Sequence, residues 1–399
     1  MLADLDDLLT ALYVLVDDLL PARRGAGRRP RISDAELIAL AVAQILLQCH
    51  SERRFLRLAR RQLAHLFPYI PKQPGYNKRL RSLAPQICLA IEQLVRISPS
   101  FCDRLRLLDS TPVPCGQSRQ TRKRSELAGW AAYGYCASHS RYFWGLRLYL
   151  LCAPDGMPVS FCLAPANEPE RDVAAAMLDR ARERGLLTGG EVIVSDKGFA
   201  SAEFEQTIAS FDATLIRPDR RDEKPRFGKL GGIRQWIESI NDTLKGQLSL
   251  EQHGGHIPEG VWARICQRIL ALAAGIWHSW QLWEAGLNDT PGVHQLRPLS
   301  PCKRNQSSRG RPVTQPASGG RAPAFARSRA PQCQAPHDRA PAAASARPTF
   351  SKVSRVCASH PSATRPSASM PTCPDGGQLS RKGSALRGKQ AGLRVQRRW

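Results

Sequence analysis

The chain has 399 residues, enough for two ordinary domains with a sizeable core in at least one. Its net charge of +24 suggests a polyanionic partner, yet residues 101–296 carry 23 basic and 23 acidic residues, whereas 297–399 carry 20 and 2. The start lacks the basic segment of a signal peptide, no apolar run approaches the ~18 residues of a membrane span, and the twelve cysteines form no C-x-x-C pair. These features predict a soluble, cytoplasmic protein with free, mostly buried thiols and neither a membrane partner nor a disulfide or zinc framework.

The first hundred residues read as helical. Leu5, Leu8, Leu9, Leu12, Val16, Leu19 and Leu20 recur at helical spacing. A basic loop over 21–31 follows, and Ser33-Asp-Ala-Glu36 forms a capping-box pattern opening an apolar helix to about Cys49. A helix over 52–66 sets Arg53, Arg54, Arg57, Arg60 and Arg61 against Phe55, Leu56, Leu63 and Leu66. After Pro74 another short helix begins with Lys78, Arg79 and Arg81. Residues 23–81 hold 14 basic and 3 acidic residues. Short basic helices joined by tight turns predict a helix-turn-helix-like DNA-binding region over 1–100, with Lys78, Arg79 and Arg81 as phosphate contacts. A helical cap with a solvated basic face is the plainer reading.

The pattern then changes. Leu105-Arg-Leu-Leu-Asp109-Ser reads as a short strand ending in a carboxylate. Runs from Tyr142 to Cys152 and from Pro158 to Leu163 read as a strand pair turning at Pro154-Asp-Gly156. A helix over 168–185 precedes Glu191-Val-Ile-Val-Ser-Asp196, a second strand ending in an acid. A short helix (201–210), a strand (213–217), a helix over 234–245 and a long apolar helix from Val261 to Trp280 complete the order β-β-β-α-β-α-β-α-α. The expected class is α/β (α+β), a mixed sheet covered by helices over 101–287. Residues 288–399, rich in Arg, Pro, Ala and Ser without apolar periodicity, are expected to be a disordered tail.

In such sheets, side chains at the carboxyl ends of strands converge on one crevice. Asp109 and Asp196 take such positions, and Glu238 approaches from a helix. On that helix Arg234, Glu238 and Lys245 fall at about 0°, 40° and 20°, a single face. Three carboxylates suit two hard cations, Mg²⁺ or Mn²⁺, and two metals stabilise the attacking and leaving oxygens of a phosphoryl transfer. Arg234, Lys245 and Lys197, which adjoins Asp196, are the candidate contacts to scissile or flanking phosphates.

The segments Leu-Leu-Asp109-Ser-Thr-Pro-Val-Pro, Tyr133-Gly-Tyr-Cys-Ala-Ser138, Phe143-Trp-Gly-Leu-Arg-Leu-Tyr149, Leu163-Ala-Pro-Ala-Asn167, Val194-Ser-Asp196-Lys-Gly-Phe199 and Ile237-Glu238 resemble those of bacterial insertion-sequence DDE transposases. The resemblance is closest to the IS nine-eighty-two group and covers about residues 30–285. It implies an RNase H-like catalytic fold with Asp109, Asp196 and Glu238 as its acidic triad. It also implies a homo-oligomer acting on double-stranded DNA, both the element's terminal inverted repeats and the target, in the bacterial nucleoid. Arg234, Glu238 and Lys245 fit the family's Y-(2)-R-(3)-E-(6)-K signature, but Gly231 replaces the tyrosine. Tyr149 stands where related sequences often carry a histidine, and the long Arg-rich tail is atypical. A catalytically inactive element remnant that only binds DNA, and a general nuclease of the same fold, are the competing expectations.

Overall fold

A computed structural model describes residues 2–286, apart from 22–29, 137–139, 220–222, 225 and 227–229. The expectation for 288–399 and most of the basic loop over 21–31 fall outside these residues.

Five helices open the chain: α1 (Leu2–Leu19), α2 (Asp34–Leu46), α3 (Glu52–Gln62), α4 (Gln73–Ser82) and α5 (Ala84–Ile97). Leu5, Leu8, Leu9, Leu12 and Val16 form the buried stripe of α1. The capping box at α2 is present in both directions. Glu36 N–H donates to Ser33 Oγ at 3.0 Å, and Ser33 N–H to Glu36 Oε2 at 2.5 Å. Ala35 and every residue of α2 from Leu37 to Ile45 are buried, so this helix is central rather than amphipathic.

The long helix α10 (Pro258–Glu284) returns to pack on α5 and α2. A buried polar network pins the contact. Gln267 Nε2 donates to Ala41 O at 2.7 Å and to Gln44 Oε1 at 3.2 Å, while Tyr76 O–H reaches Gln44 Oε1 at 2.8 Å. Buried Glu52 accepts from Arg264 and, at 3.0 Å, from Asn77 Nδ2. A charge so enclosed persists only with such partners. The helices and the sheet share one hydrophobic cluster among the described residues.

The sheet contains β1 (Leu105–Gly116), β2 (Ala132–Cys136), β3 (Arg141–Cys152), β4 (Pro158–Pro165), β5 (Glu191–Ser195) and β6 (Ala213–Ile216). Its main order is β4-β3-β1-β5-β6, with β2 extending the sheet beside the first half of β3. Strands β1, β3 and β4 are antiparallel neighbours, whereas β5 and β6 run parallel to β1. This is the RNase H-like mixed sheet that the resemblance implies. Between β4 and β5 runs α7 (Glu170–Glu183), between β5 and β6 runs α8 (Ala202–Ser210), and α9 (Gly231–Asp242) follows β6.

Two elements depart from the expected order. A six-residue helix, α6 (Arg119–Arg124), and β2 lie between β1 and β3. Strand β1 also runs well past Ser110, through Pro112 and Pro114. Beyond Leu108 it has lost β5 and, among the described residues, pairs only with β3, and such edges tolerate proline.

Candidate active site

The parallel ladder between β1 and β5 ends at the pair Leu108↔Ser195. Asp109 and Asp196 are the next residue of each strand, so the fold sets them side by side where the ladder stops. Asp109 is not at the end of β1 itself, because it still faces Leu150 of β3. It is at the end of its parallel pairing, and that is where the crevice opens. Glu238 stands on α9, and all three acids line one small cleft with Ile233, Ile237, Leu107 and Val194. The isoleucines seat α9 against the strands, which aims its polar residues at the strand ends.

Asp109 is closely held. Its Oδ1 accepts the Ser110 N–H at 2.8 Å, and its Oδ2 accepts Asn241 Nδ2 at 2.8 Å. Burial pushes its pKa up to about 6, with the negative charges of Asp196 and Glu170 adding to the rise and the two hydrogen bonds opposing it. Asp196 caps a short 3-10 turn, its Oδ1 accepting the Lys197 N–H at 2.7 Å. Asn241 follows Glu238 by three residues and therefore shares its helix face. Sequence reasoning passed over Asn241. The spacing from Glu238 was the available signal.

The cationic candidates are placed less uniformly. Lys197 is exposed beside Asp196. Arg234 lies in α9 one turn before Glu238, with its side chain outside the described residues. Lys245 is half-buried in a π-helical turn, Thr243–Gln247, so the regular α spacing assumed for it stops at Asp242. In α4, Lys78 is exposed, but Arg79 donates to Ile32 O at 2.8 Å and pairs with Asp34, tying α4 to the start of α2. Arg81 is half-buried. On α3, Arg53, Arg54, Arg57, Arg60 and Arg61 are exposed opposite buried Phe55, Leu56 and Ala59.

On the other face of the sheet, Arg147 pairs with Glu170, donates to Ser110 Oγ at 3.2 Å and reaches Tyr135 O at 2.6 Å. Tyr149 is fully buried there, and its hydroxyl has no hydrogen-bond partner among the described residues. This polar set braces the strand behind Asp109.

Three carboxylates on one cleft supply the hard oxygen donors that Mg²⁺ or Mn²⁺ prefers, so the residues present fit such an ion. Among the described residues no three His, Cys, Asp or Glu side chains stand as a ready-made close ligand cluster. No described helix is long and apolar enough to cross a membrane.

Residues 100–274 match the family described as Transposase DDE domain. A comparison with curated protein sequences gave no match. Among solved structures, the chain is similar to a piggyBac transposase in a synaptic complex with hairpin DNA, at 10% identity and a TM-score of 0.35, over 71% of this chain and 74% of that one. It is also similar to a pre-cleavage Mos1 transpososome, at 12% identity and a TM-score of 0.19, over 62% and 80%. Neither likeness is close enough to add to the assignment.

Proposed function

With residues 100–274 matching a transposase DDE domain, we propose that the chain is a DDE transposase that cleaves DNA at the ends of an insertion element and joins them to target DNA. The observation that carries this reading is the placement of Asp109 and Asp196 at adjacent register positions, with Glu238 on the same cleft.

Asp109, Asp196 and Glu238 would hold divalent cations, Mg²⁺ or Mn²⁺, two in number. Bound there, such ions would stabilise the attacking and leaving oxygens of an in-line displacement. Asn241 fixes the orientation of the Asp109 carboxylate, as partners of metal-ligating carboxylates do. Arg234, Lys197 and Lys245 draw the flanking phosphates toward the cleft. Water attacks the phosphodiester at the element end and the P–O3′ bond breaks, leaving a 3′ hydroxyl. That hydroxyl then attacks a target phosphodiester, which releases a strand of target DNA.

We assign residues 101–287 to this chemistry and the helices of residues 1–100 to recognition of double-stranded DNA. The exposed arginines of α3 and Lys78 of α4 supply the phosphate contacts. In this reading the protein acts as a homo-oligomer on its inverted repeats, in the bacterial nucleoid, and belongs with the IS nine-eighty-two group that its motifs resemble. The test is cleavage of DNA carrying the flanking inverted repeats, with and without Mg²⁺, against a scrambled duplex. Cutting of both DNAs alike would favour a general nuclease.

A further inference from the structure

We propose that β2, the start of β3 and α6 form a stacking platform for unpaired DNA bases, on the sheet face that carries Asp109. This inference deepens the DNA-transposition reading and rests on it for the identity of the partner.

The platform is aromatic and solvent-facing. Tyr133, Tyr135 and Tyr142 are 49%, 46% and 77% exposed. Tyr135 and Tyr142 are cross-strand partners with ring centroids 5.0 Å apart, and Tyr133 is opposite Trp144. The reverse side of this strand pair is anchored, since Cys136 and Phe143 pack on Ala166. A Cβ on Gly134 would lie 2.6 Å from Ala166 O, so glycine lets β2 sit flat there. Packing thus accounts for one side of the pair and leaves the tyrosines without an internal role.

Register gives their direction. Along β3, alternate residues from Tyr142 through Trp144, Leu146 and Leu148 to Leu150 point to one face, and Leu150 is the cross-strand partner of Asp109. The leucines are buried under the helical layer, and the cover ends before Tyr142. At ~3.4 Å per residue, the tyrosines lie roughly 20–27 Å along the strand from the level of Asp109, the range of a strand end several nucleotides from the cut.

Charge completes the site. Between residues 111 and 154 there are six basic residues and one acid, although the central region as a whole is neutral. Arg122 of α6 lies over the Tyr133 ring at 5.0 Å, and Lys123 and Arg124 are exposed beside it. Aromatic faces interleaved with cations bind single strands by base stacking and phosphate attraction, because a paired base offers no free face.

The experiment is fluorescence anisotropy of the full chain in EDTA, with a labelled oligothymidylate and a blunt duplex of unrelated sequence. The wild type binds both. Tyr142→Ala and Tyr135→Ala/Tyr142→Ala weaken single-strand binding by roughly five- to hundred-fold per lost stack and leave duplex binding unchanged. Tyr142→Phe retains affinity because it keeps the ring. Absence of single-strand binding by the wild type, equal loss on both DNAs, or a Phe variant as weak as Ala would overturn the proposal. Should the double variant melt early, the solvent-exposed single Tyr142→Ala decides. Cleavage is not read in EDTA, so failure here leaves the assignment of the acidic cleft standing, and inactivity of that cleft leaves this binding result intact.

Discussion

Asn241 of α9 donates a 2.8 Å hydrogen bond across the cleft to Asp109 of β1, joining two residues 132 positions apart. The bond couples the helix that carries Glu238 to the strand that carries Asp109. Replacing Asn241 with Ala is expected to lower metal-dependent cleavage by about 10–100-fold, the usual effect of removing a partner that orients a metal-ligating carboxylate. Binding to inverted-repeat DNA without metal should not change. A variant that cleaves as well as the wild type would show that Asp109 needs no such support.

Asp109 also predicts a pH dependence of the metal-free protein. Its pKa is raised from 3.8 to about 6 by burial and neighbouring acids, so folding favours the protonated form. The charge therefore costs stability above pH 6, and that cost is relieved as pH falls through 6 toward the unfolded value near 4. The relief is about 2 kcal/mol after allowance for partial solvent access. Thermal unfolding in EDTA should show the Asp109→Asn variant gaining most over wild type at pH 7 to 8, with the gap closing near pH 4. A gap independent of pH would contradict the titration.

The basic face of α3 is expected to bind duplex DNA through phosphates. Charge reversal at Arg53, Arg57 or Arg61 should weaken binding and reduce the slope of log affinity against log salt by about one per lost contact. These exposed sites are better probes than Arg79, whose ties to Ile32 and Asp34 hold the helices together. An unchanged salt slope in all three variants would place the duplex elsewhere.

The ion pair between Arg264 and Glu52 should be structural. Arg264→Ala leaves a buried carboxylate with only its neutral donors and is expected to cost about 3 kcal/mol in unfolding by denaturant. A cost near zero would mean that water reaches Glu52.

The convergence of Asp109, Asp196 and Glu238 on one cleft was legible because each carboxylate interrupts or follows an apolar pattern that the fold buries. The topology of the parallel strands was not, since no local pattern says which strands neighbour; the resemblance supplied it. Strand β2 escaped because its alternation is inverted, with tyrosines facing water and Gly134 and Cys136 facing inward. Pro112 and Pro114 hid the length of β1, which continues only because its β5 side is already open. Lys245 was placed by an ideal helix, and the π turn at Thr243 ends that geometry. Asn241 looked like any polar helix residue until its partner came from another segment.

The central claim is that Asp109, Asp196 and Glu238 act together on DNA through divalent metal. The most direct measurement is Mn²⁺ binding, read by electron paramagnetic resonance, beside cleavage of inverted-repeat DNA by the same preparations. Asp109→Asn, Asp196→Asn and Glu238→Gln should each lose bound Mn²⁺ and end cleavage while holding the repeat DNA as tightly as the wild type. Full Mn²⁺ binding and cleavage after any one of these changes would contradict the assignment of that residue, and metal-independent cleavage by the wild type would contradict the claim itself.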